Sequence, residues 1–471
     1  MNILALESST TSAKALLFSS ETGIVQTVTQ EYPQEHNENG VQDARAVFEL
    51  TAELGRRLAA DYPVDMVTLG GTWHSLLLLD AQGRPASPGY SWGYLGAAQV
   101  AGRLRQDKNF VDWYYHATGC MVHSIYPSFK LLHLKEQGQS LADVFISSQG
   151  GYNFLRLTGL RVTTPSMMSG SGLLDTHTKQ YCAGILDYVG IREEQLDKLA
   201  GPLETFPLSQ DGAGLLGIAA GTPVLPTNPD GALNQVGIGE LEQGTMTFSV
   251  GTSAALRLSA SQPLLPEDPS IWCYISPFSW LSGAATSGAC NCIDWAKNRF
   301  FPDKSYNDIE ISAVDQEKLP VFLPFLYGER CPGWSDDRRG GFYDLEPFHT
   351  PEDLYVSVME GVLFNLLQCY EVLCKYNGEP KSIHLSGGIL NSSIWTQMCS
   401  DIFQRELICS NQKQASLIGG AFLGLAAAGQ PERIRAFVEQ DNEIVRPDPR
   451  RAELFRARYQ KYLSWYEKTS T

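Results

Sequence analysis

Apolar runs in the first thirty residues are short and are separated by polar turns. Ile3 to Leu6 and Ala13 to Phe18 flank the polar stretch Ser8-Ser9-Thr10-Thr11-Ser12. Runs of that length bounded by turn residues predict strands. Ile24 to Tyr32, after Glu21-Thr22-Gly23, predicts a third strand of the same meander. The period then lengthens: Val47, Phe48, Leu50, Leu54 and Leu58 recur at helical intervals. Met66 to Leu69, ending in Gly70-Gly71, and Leu76 to Leu79, ahead of Ala81-Gln82-Gly83, predict further strands.

The same opening recurs midway. Thr245 to Val250 predicts a strand, Gly251-Thr252-Ser253 a tight turn, and Ala254 to Leu258 the returning strand. Thr11-Ser12-Ala13-Lys14-Ala15-Leu16 and Thr252-Ser253-Ala254-Ala255-Leu256 are near copies. Matching hairpins at the start of two similar halves indicate a duplicated domain. The glycine-rich stretch Gly237-Ile238-Gly239 sets the boundary, giving domains 1–239 and 240–471. Later, Leu354 to Leu373 predicts a long helix and Ser382 to Leu385 a strand ending in Ser386-Gly387-Gly388. Ser392 to Phe403 and Ala415 to Ala428 predict helices, the second rich in small residues suited to close packing. Residues 449–467 predict a terminal helix with Leu454, Phe455, Tyr459 and Leu463 on one face.

Composition narrows the class. With 471 residues, 43% hydrophobic and 19% charged, the chain has ample core for two large domains and does not read as disordered. A formal charge of −16 repels a phosphate backbone, so nucleic acid is not an expected partner. None of the ten cysteines forms a C-x-x-C pair, which fits reduced thiols rather than a zinc site. No basic leader precedes Asn2, and no uninterrupted apolar run approaches the ~18 residues of a span, so a cytoplasmic chain without membrane contact is expected.

Gly212-Ala213-Gly214-Leu215-Leu216-Gly217 fits the dinucleotide pattern GxGxxG, but no apolar strand precedes it. The fingerprint needs that strand, so the match is set aside. Chemistry is carried instead by the two hydroxyl-rich turns. Consecutive backbone N–H groups in such turns, with Ser or Thr hydroxyls, cradle phosphate oxygens. Ser9, Thr10, Thr11 and Ser12 with Lys14 offer this in one half, and Gly251, Thr252 and Ser253 in the other.

These motifs, in this order, resemble the FGGY carbohydrate kinases of the actin/hexokinase/Hsp70-like ATPases. ILALESSTTSAKALLF (3–18) is similar to the first phosphate hairpin, and AGTPVLPTNPDGALNQVGIG (220–239) to the segment carrying a catalytic aspartate. TFSVGTSAAL (247–256) resembles the second hairpin, LPFLYGERCPGWSDDRRGGF (323–342) a family signature, and HLSGGILNSSIWTQMCSDIF (384–403) the adenosine motif. Gluconate and xylulose kinases look nearest.

The resemblance implies an α/β fold of two RNase-H-like (actin-like ATPase) domains. Each would be a mixed five-stranded sheet flanked by helices, with a cleft between, sugar on the first domain and ATP on the second. It implies magnesium-dependent transfer of the γ-phosphoryl group to a hydroxyl of a small sugar, ketose or sugar acid. Asp230 is the implied base. Ser9, Thr10, Thr11, Lys14, Gly251 and Thr252 map to phosphate positions, and Gly387, Gly388 and Ser392 to the adenosine motif. Trp73 and His74 map to the sugar position, and Glu7 with Asp230 to the metal. Partners are then ATP and a small sugar, and a homodimeric state stays open.

Three positions depart from the family pattern. Glu7-Ser8-Ser9 stands where Asp-x-Gly is usual, Trp92-Gly93-Tyr94-Leu95-Gly96 replaces Trp-x-Asp-x-Arg, and Thr164 stands at an aspartate. The ATP side is mostly kept and the sugar side is altered, so an acceptor other than the usual sugars is expected. Glu329 and Arg330 are read as an internal ion pair shaping the cleft. The competing reading is a catalytically weak nucleotide- or sugar-binding sensor, suggested by Glu7 and Ser9.

Overall fold

In the computed structural model, which describes residues 1–238, 244–309, 311, 314–335, 337–409, 414–434, 437 and 442–469, two sheets are laid down by the two hairpins. The first holds β1 (Asn2–Ser8), β2 (Ser12–Ser19), β3 (Gly23–Glu31) and β4 (Met66–Gly71). β1 pairs antiparallel with β2 and parallel with β4. β5 (Phe206–Pro207), β6 (Pro223–Val224) and β7 (Asn228–Pro229) complete seven strands, β6 and β7 both parallel to β4.

The second sheet repeats the plan. β8 (Thr245–Val250) pairs antiparallel with β9 (Ala254–Ala260), which pairs antiparallel with β11 (Trp280–Thr286). β8 lies parallel to β12 (Ser382–Ser386), and β12 to β13 (Leu407–Cys409). β10 (Trp272–Ile275) and β14 (Glu443–Val445) add an edge on each side, making seven. In each sheet the expected five mixed strands run meander, then two parallel strands, and the extra two are short additions. The duplication read from two hairpins therefore extends to the whole topology. The expected boundary at 239 and 240 lies outside the described residues.

β1 is buried on both faces, so its alternate residues serve two cores. Leu4 and Leu6 pack with Val47, Phe48, Leu54 and Leu58 of α1 (Ala44–Ala59), a helix capped by Asp43, whose carboxylate accepts the N–H groups of Arg45 and Ala46. Ile3 and Ala5 pack with Leu417, Ile418, Ala421 and Phe422. Those four belong to Ala415–Ala427, the small-residue helix, so a helix of the second half covers the sheet of the first.

That helix crosses α2 (Asp230–Gly237) at two glycines. A methyl group added at Gly237 would stand 1.9 Å from the Ala415 carbonyl oxygen, and one at Gly419 1.9 Å from that of Leu233. The longest helix, Pro351–Asn377, is apolar and long enough for a membrane span by composition, yet 83% of its apolar window is buried within the protein. The helical segment between β4 and β5 reaches the second sheet, where Tyr115 Oη donates to the Ile271 carbonyl at 2.6 Å. All ten cysteines are free thiols.

The crossing gives a direct test. Gly419→Ala forces the two helices apart and is expected to cost about 1–3 kcal/mol of stability in urea unfolding. Unchanged stability would contradict the packing described.

Candidate active site

A cavity of about 500 Å³ opens between the two halves. Thr72, Trp73, His74, Trp92 and Asp230 line it from one side, and Thr252, Arg257, Trp272, Tyr274 and Arg330 from the other. Of the site residues implied by the resemblance, the cavity brings together Trp73, His74, Asp230 and Thr252, and it adds Trp92, Ser253 and Arg330 from the other stretches singled out in the sequence.

Asp230 reaches this wall because β7 pairs with the glycine end of β4, Asn228 beside Gly70 and Pro229 beside Gly71. The chain then turns into α2, and Asp230 is its first residue. Its Oδ1 accepts the Gly231 N–H at 2.7 Å. Burial, then the neighbouring Glu7 charge, push the Asp230 carboxyl up from 3.8 to about 6; Arg257, the Gly231 N–H and Lys14 offset part of that rise. Glu7 is itself buried, with Oε1 held by Lys14 Nζ at 2.7 Å. Burial lowers the Lys14 pKa, but Glu7 and Asp230 more than reverse this and keep the ammonium above its usual range. Glu7 Oε2 is buried without a hydrogen-bond partner. An orphaned carboxylate oxygen beside a second carboxylate fits a hard divalent cation, whose other ligands would be phosphate oxygens and water. No cluster of three or more metal-ligating side chains exists among the described residues.

One wall of the cavity is aromatic. Trp73 sits in a slot made by glycines: a methyl group at Gly170 or Gly231 would come within 2.5 Å of its ring. Its Nε1 donates to the Ser166 carbonyl at 2.9 Å, and its ring lies 5.1 Å from that of Tyr274, which stacks on Trp272 at 4.1 Å. His74 follows in a left-handed conformation, φ 67°, a strained backbone for a residue with a side chain. Lys130, fully buried, holds it there: its Nζ donates to the carbonyls of His74 and Ser91, both at 2.7 Å. His74 Nδ1 lies 2.6 Å from the Gly170 carbonyl. A carbonyl only accepts, so Nδ1 carries the proton and Nε2 is left as an acceptor. Burial pushes the imidazole down to about 3, with the charges of Arg330, Lys130 and His123 adding to the effect, so it stays neutral.

The two hairpins flank the cavity. Ser9 spends its hydroxyl closing its own turn, donating to the Ser12 carbonyl at 2.8 Å. Thr10 Oγ1 accepts from Trp92 Nε1 at 2.9 Å, which ties the first hairpin to the cavity rim. Thr11 is exposed, and its carbonyl takes the Tyr32 N–H. In the second hairpin the Gly251 and Thr252 carbonyls accept the Cys290 and Asn291 N–H groups, fixing the start of the helix Cys290–Phe300 against the turn. Gly387, at φ 100°, approaches so closely that a methyl group there would lie 2.4 Å from the Val250 carbonyl. Gly388 packs by Cys290, 3.0 Å from such a methyl position to Sγ, so the glycine turn and the hairpin form one surface. Ser392 caps the helix Ser393–Phe403, accepting the Trp395 N–H at 3.3 Å.

Family models for the FGGY carbohydrate kinases match residues 2–237 (N-terminal domain) and 246–428 (C-terminal domain). The chain is 26% identical to a gluconokinase of Bacillus subtilis, with 95% of this chain and 91% of the relative covered. It is 27% identical to a xylulose kinase of Escherichia coli, over 86% and 85%. A crystal structure of gluconate kinase from Lactobacillus acidophilus superposes with a TM-score of 0.94 at 26% identity, covering 100% and 98%. Ligand-bound xylulose kinase from the same organism gives 0.93 at 26%, covering 99% and 98%. The protein belongs to the FGGY family of carbohydrate kinases and has its two-domain actin-like ATPase fold. It is an ATP-dependent sugar kinase, and nothing in the site or in these relatives favours the sensor reading.

One expectation is corrected. Glu329 does not pair with Arg330; it pairs with Arg338 at 3.0 Å and accepts from Tyr466 Oη at 2.6 Å, while Arg330 faces the cavity. Thr164, at the aspartate position, caps a short helix and donates to the Thr227 carbonyl at 3.0 Å, so it braces the segment leading to Asp230. Sequence reasoning missed Arg257, Trp272, Tyr274 and Lys130. Arg257 left one trace, a lone cation inside the apolar run of β9.

The Asp230 carboxyl binds its proton more tightly folded than unfolded, so folding stability declines as pH rises from about 4 to about 6. The full penalty, up to roughly 3 kcal/mol, stands above that window. Asp230→Asn removes it. The variant is expected to melt above wild type at pH 7–8, the gap closing towards pH 4; a gap independent of pH would contradict the assignment.

Proposed function

We propose that Asp230 is the general base of this kinase and that its acceptor is gluconate- or xylulose-like. The observation carrying this reading is a partly buried carboxyl, with pKa about 6, on the wall of the cavity shared by both halves. At neutral pH it is mostly ionised, yet close enough to that pH to accept the hydroxyl proton as the bond to phosphorus forms. Phosphoryl transfer otherwise needs positioning and charge neutralisation. The N–H groups and hydroxyls of Ser9, Thr10, Thr11, Gly251 and Thr252, with the Lys14 ammonium, would supply these for the triphosphate. Gly387, Gly388 and Ser392 would carry adenosine on the surface continuous with the second hairpin. Trp73 would cover an apolar sugar face, and His74 Nε2 would accept from a sugar hydroxyl.

Glu7 and Asp230 would hold magnesium, which when bound neutralises charge on the transferred phosphoryl group. Domains 1–239 and 240–471 would close on the acceptor to keep water from the γ-phosphate. A donor of this kind and ten free thiols fit a cytoplasmic setting.

Asp230→Ala is expected to lower kcat about 10²–10⁴-fold while ATP still binds, read by coupled ADP release and calorimetry. In wild type, kcat should fall about tenfold per pH unit below pH ~6, because protonation removes the base. A flat profile down to pH 5 would count against it.

A further inference from the structure

Two cations line the cavity, and among the described residues Asp230 is the one carboxylate that lines it with them. Arg257 and Arg330 both line it, and the Nε of each is sealed from solvent with no hydrogen-bond partner. Among the described residues neither guanidinium forms an ion pair. The one hydrogen bond from the Arg257 side chain is a long one, Nη1 to Ser249 Oγ at 3.3 Å. The two also repel: Arg330 is among the groups that lower the Arg257 pKa, while Asp230 raises it. Each guanidinium presents five donors in a planar fork that matches a carboxylate. The loop Trp92-Gly93-Tyr94-Leu95-Gly96, by contrast, brings no charge to the cavity.

We infer that Arg257 and Arg330 form a carboxylate receptor that selects a sugar acid as acceptor, a deeper reading that rests on the kinase assignment. A neutral polyol satisfies an N–H but leaves both cationic charges in place; a carboxylate satisfies the unpaired donors and cancels one charge. Arg257 feels the charges of both Asp230 and Arg330, so the receptor borders the proposed base.

Calorimetry on the full chain without nucleotide tests this with matched pairs, D-gluconate against D-glucitol and D-xylonate against D-xylitol. At least one acid is expected to bind tenfold or more tightly than its polyol. Arg257→Met and Arg330→Met should each shrink that gap about tenfold, and Arg257→Lys should restore part of it. Polyols binding as tightly as both acids, or a gap unchanged in both methionine variants, overturns the receptor. Should the methionine variants fail to fold, the wild-type gap still decides. ADP release is scored separately: turnover of polyols or ketoses alone keeps the kinase and removes the acid preference. Acid binding with no turnover of any acceptor keeps the receptor and removes the kinase reading.

Discussion

One partly buried carboxyl, Asp230, sets the terms for the rest of the site. It is raised by burial and by Glu7 of the first sheet, and it is restrained by Arg257 of the second. Lys14, on the strand paired with that of Glu7, holds Glu7 while still feeling Asp230. Both halves thus contribute to the state of a single acid. The indole of Trp73 explains the sequence around it: Gly231 directly follows the carboxylate because a side chain there would collide with that ring. An unfavourable charge is kept in place by close packing, as is common where function and stability conflict.

Duplication supplied two similar sheets, but they are used differently. Each carries a hairpin at the same topological place, and each hairpin borders the space between halves. In the first sheet the parallel strand β7 leads into Asp230; the second ends its parallel strand β12 at the glycine turn that packs on its own hairpin. The small-residue helix breaks the symmetry by crossing to the first sheet. Its glycine-to-glycine contact with α2 lies at the far end of the helix that begins with Asp230, so the same close packing anchors that helix.

Much of this was legible in the chain because it is local. Hairpins declare themselves through a polar turn between apolar runs, and Ser386-Gly387-Gly388 through the glycine that a left-handed turn demands. Trp73, His74 and Asp230 follow strand ends, where short-range pattern suffices. The cationic side of the cavity was not legible. Arg257 reaches it through register, opposite Thr247 and Gly283, and register is set by partners tens of residues away. Arg330 sits next to a glutamate in sequence, which invited a local pairing; the backbone instead turns Glu329 towards Arg338 and Tyr466. Side-chain duties such as the Ser9 turn closure and the Thr164 cap also depend on geometry that residue type alone leaves open.

The protonation state of Asp230 is the claim nearest the chemistry, and it can be read without any acceptor. Isotope-edited infrared titration of aspartate carboxyls, with the Asp230→Asn protein subtracted, isolates this group. A midpoint near 6 in wild type, moving down when Glu7 is replaced by Gln, is the result this account requires. A midpoint near 4 that ignores Glu7 would mean the carboxylate is an ordinary solvated acid, and the base would have to be sought elsewhere.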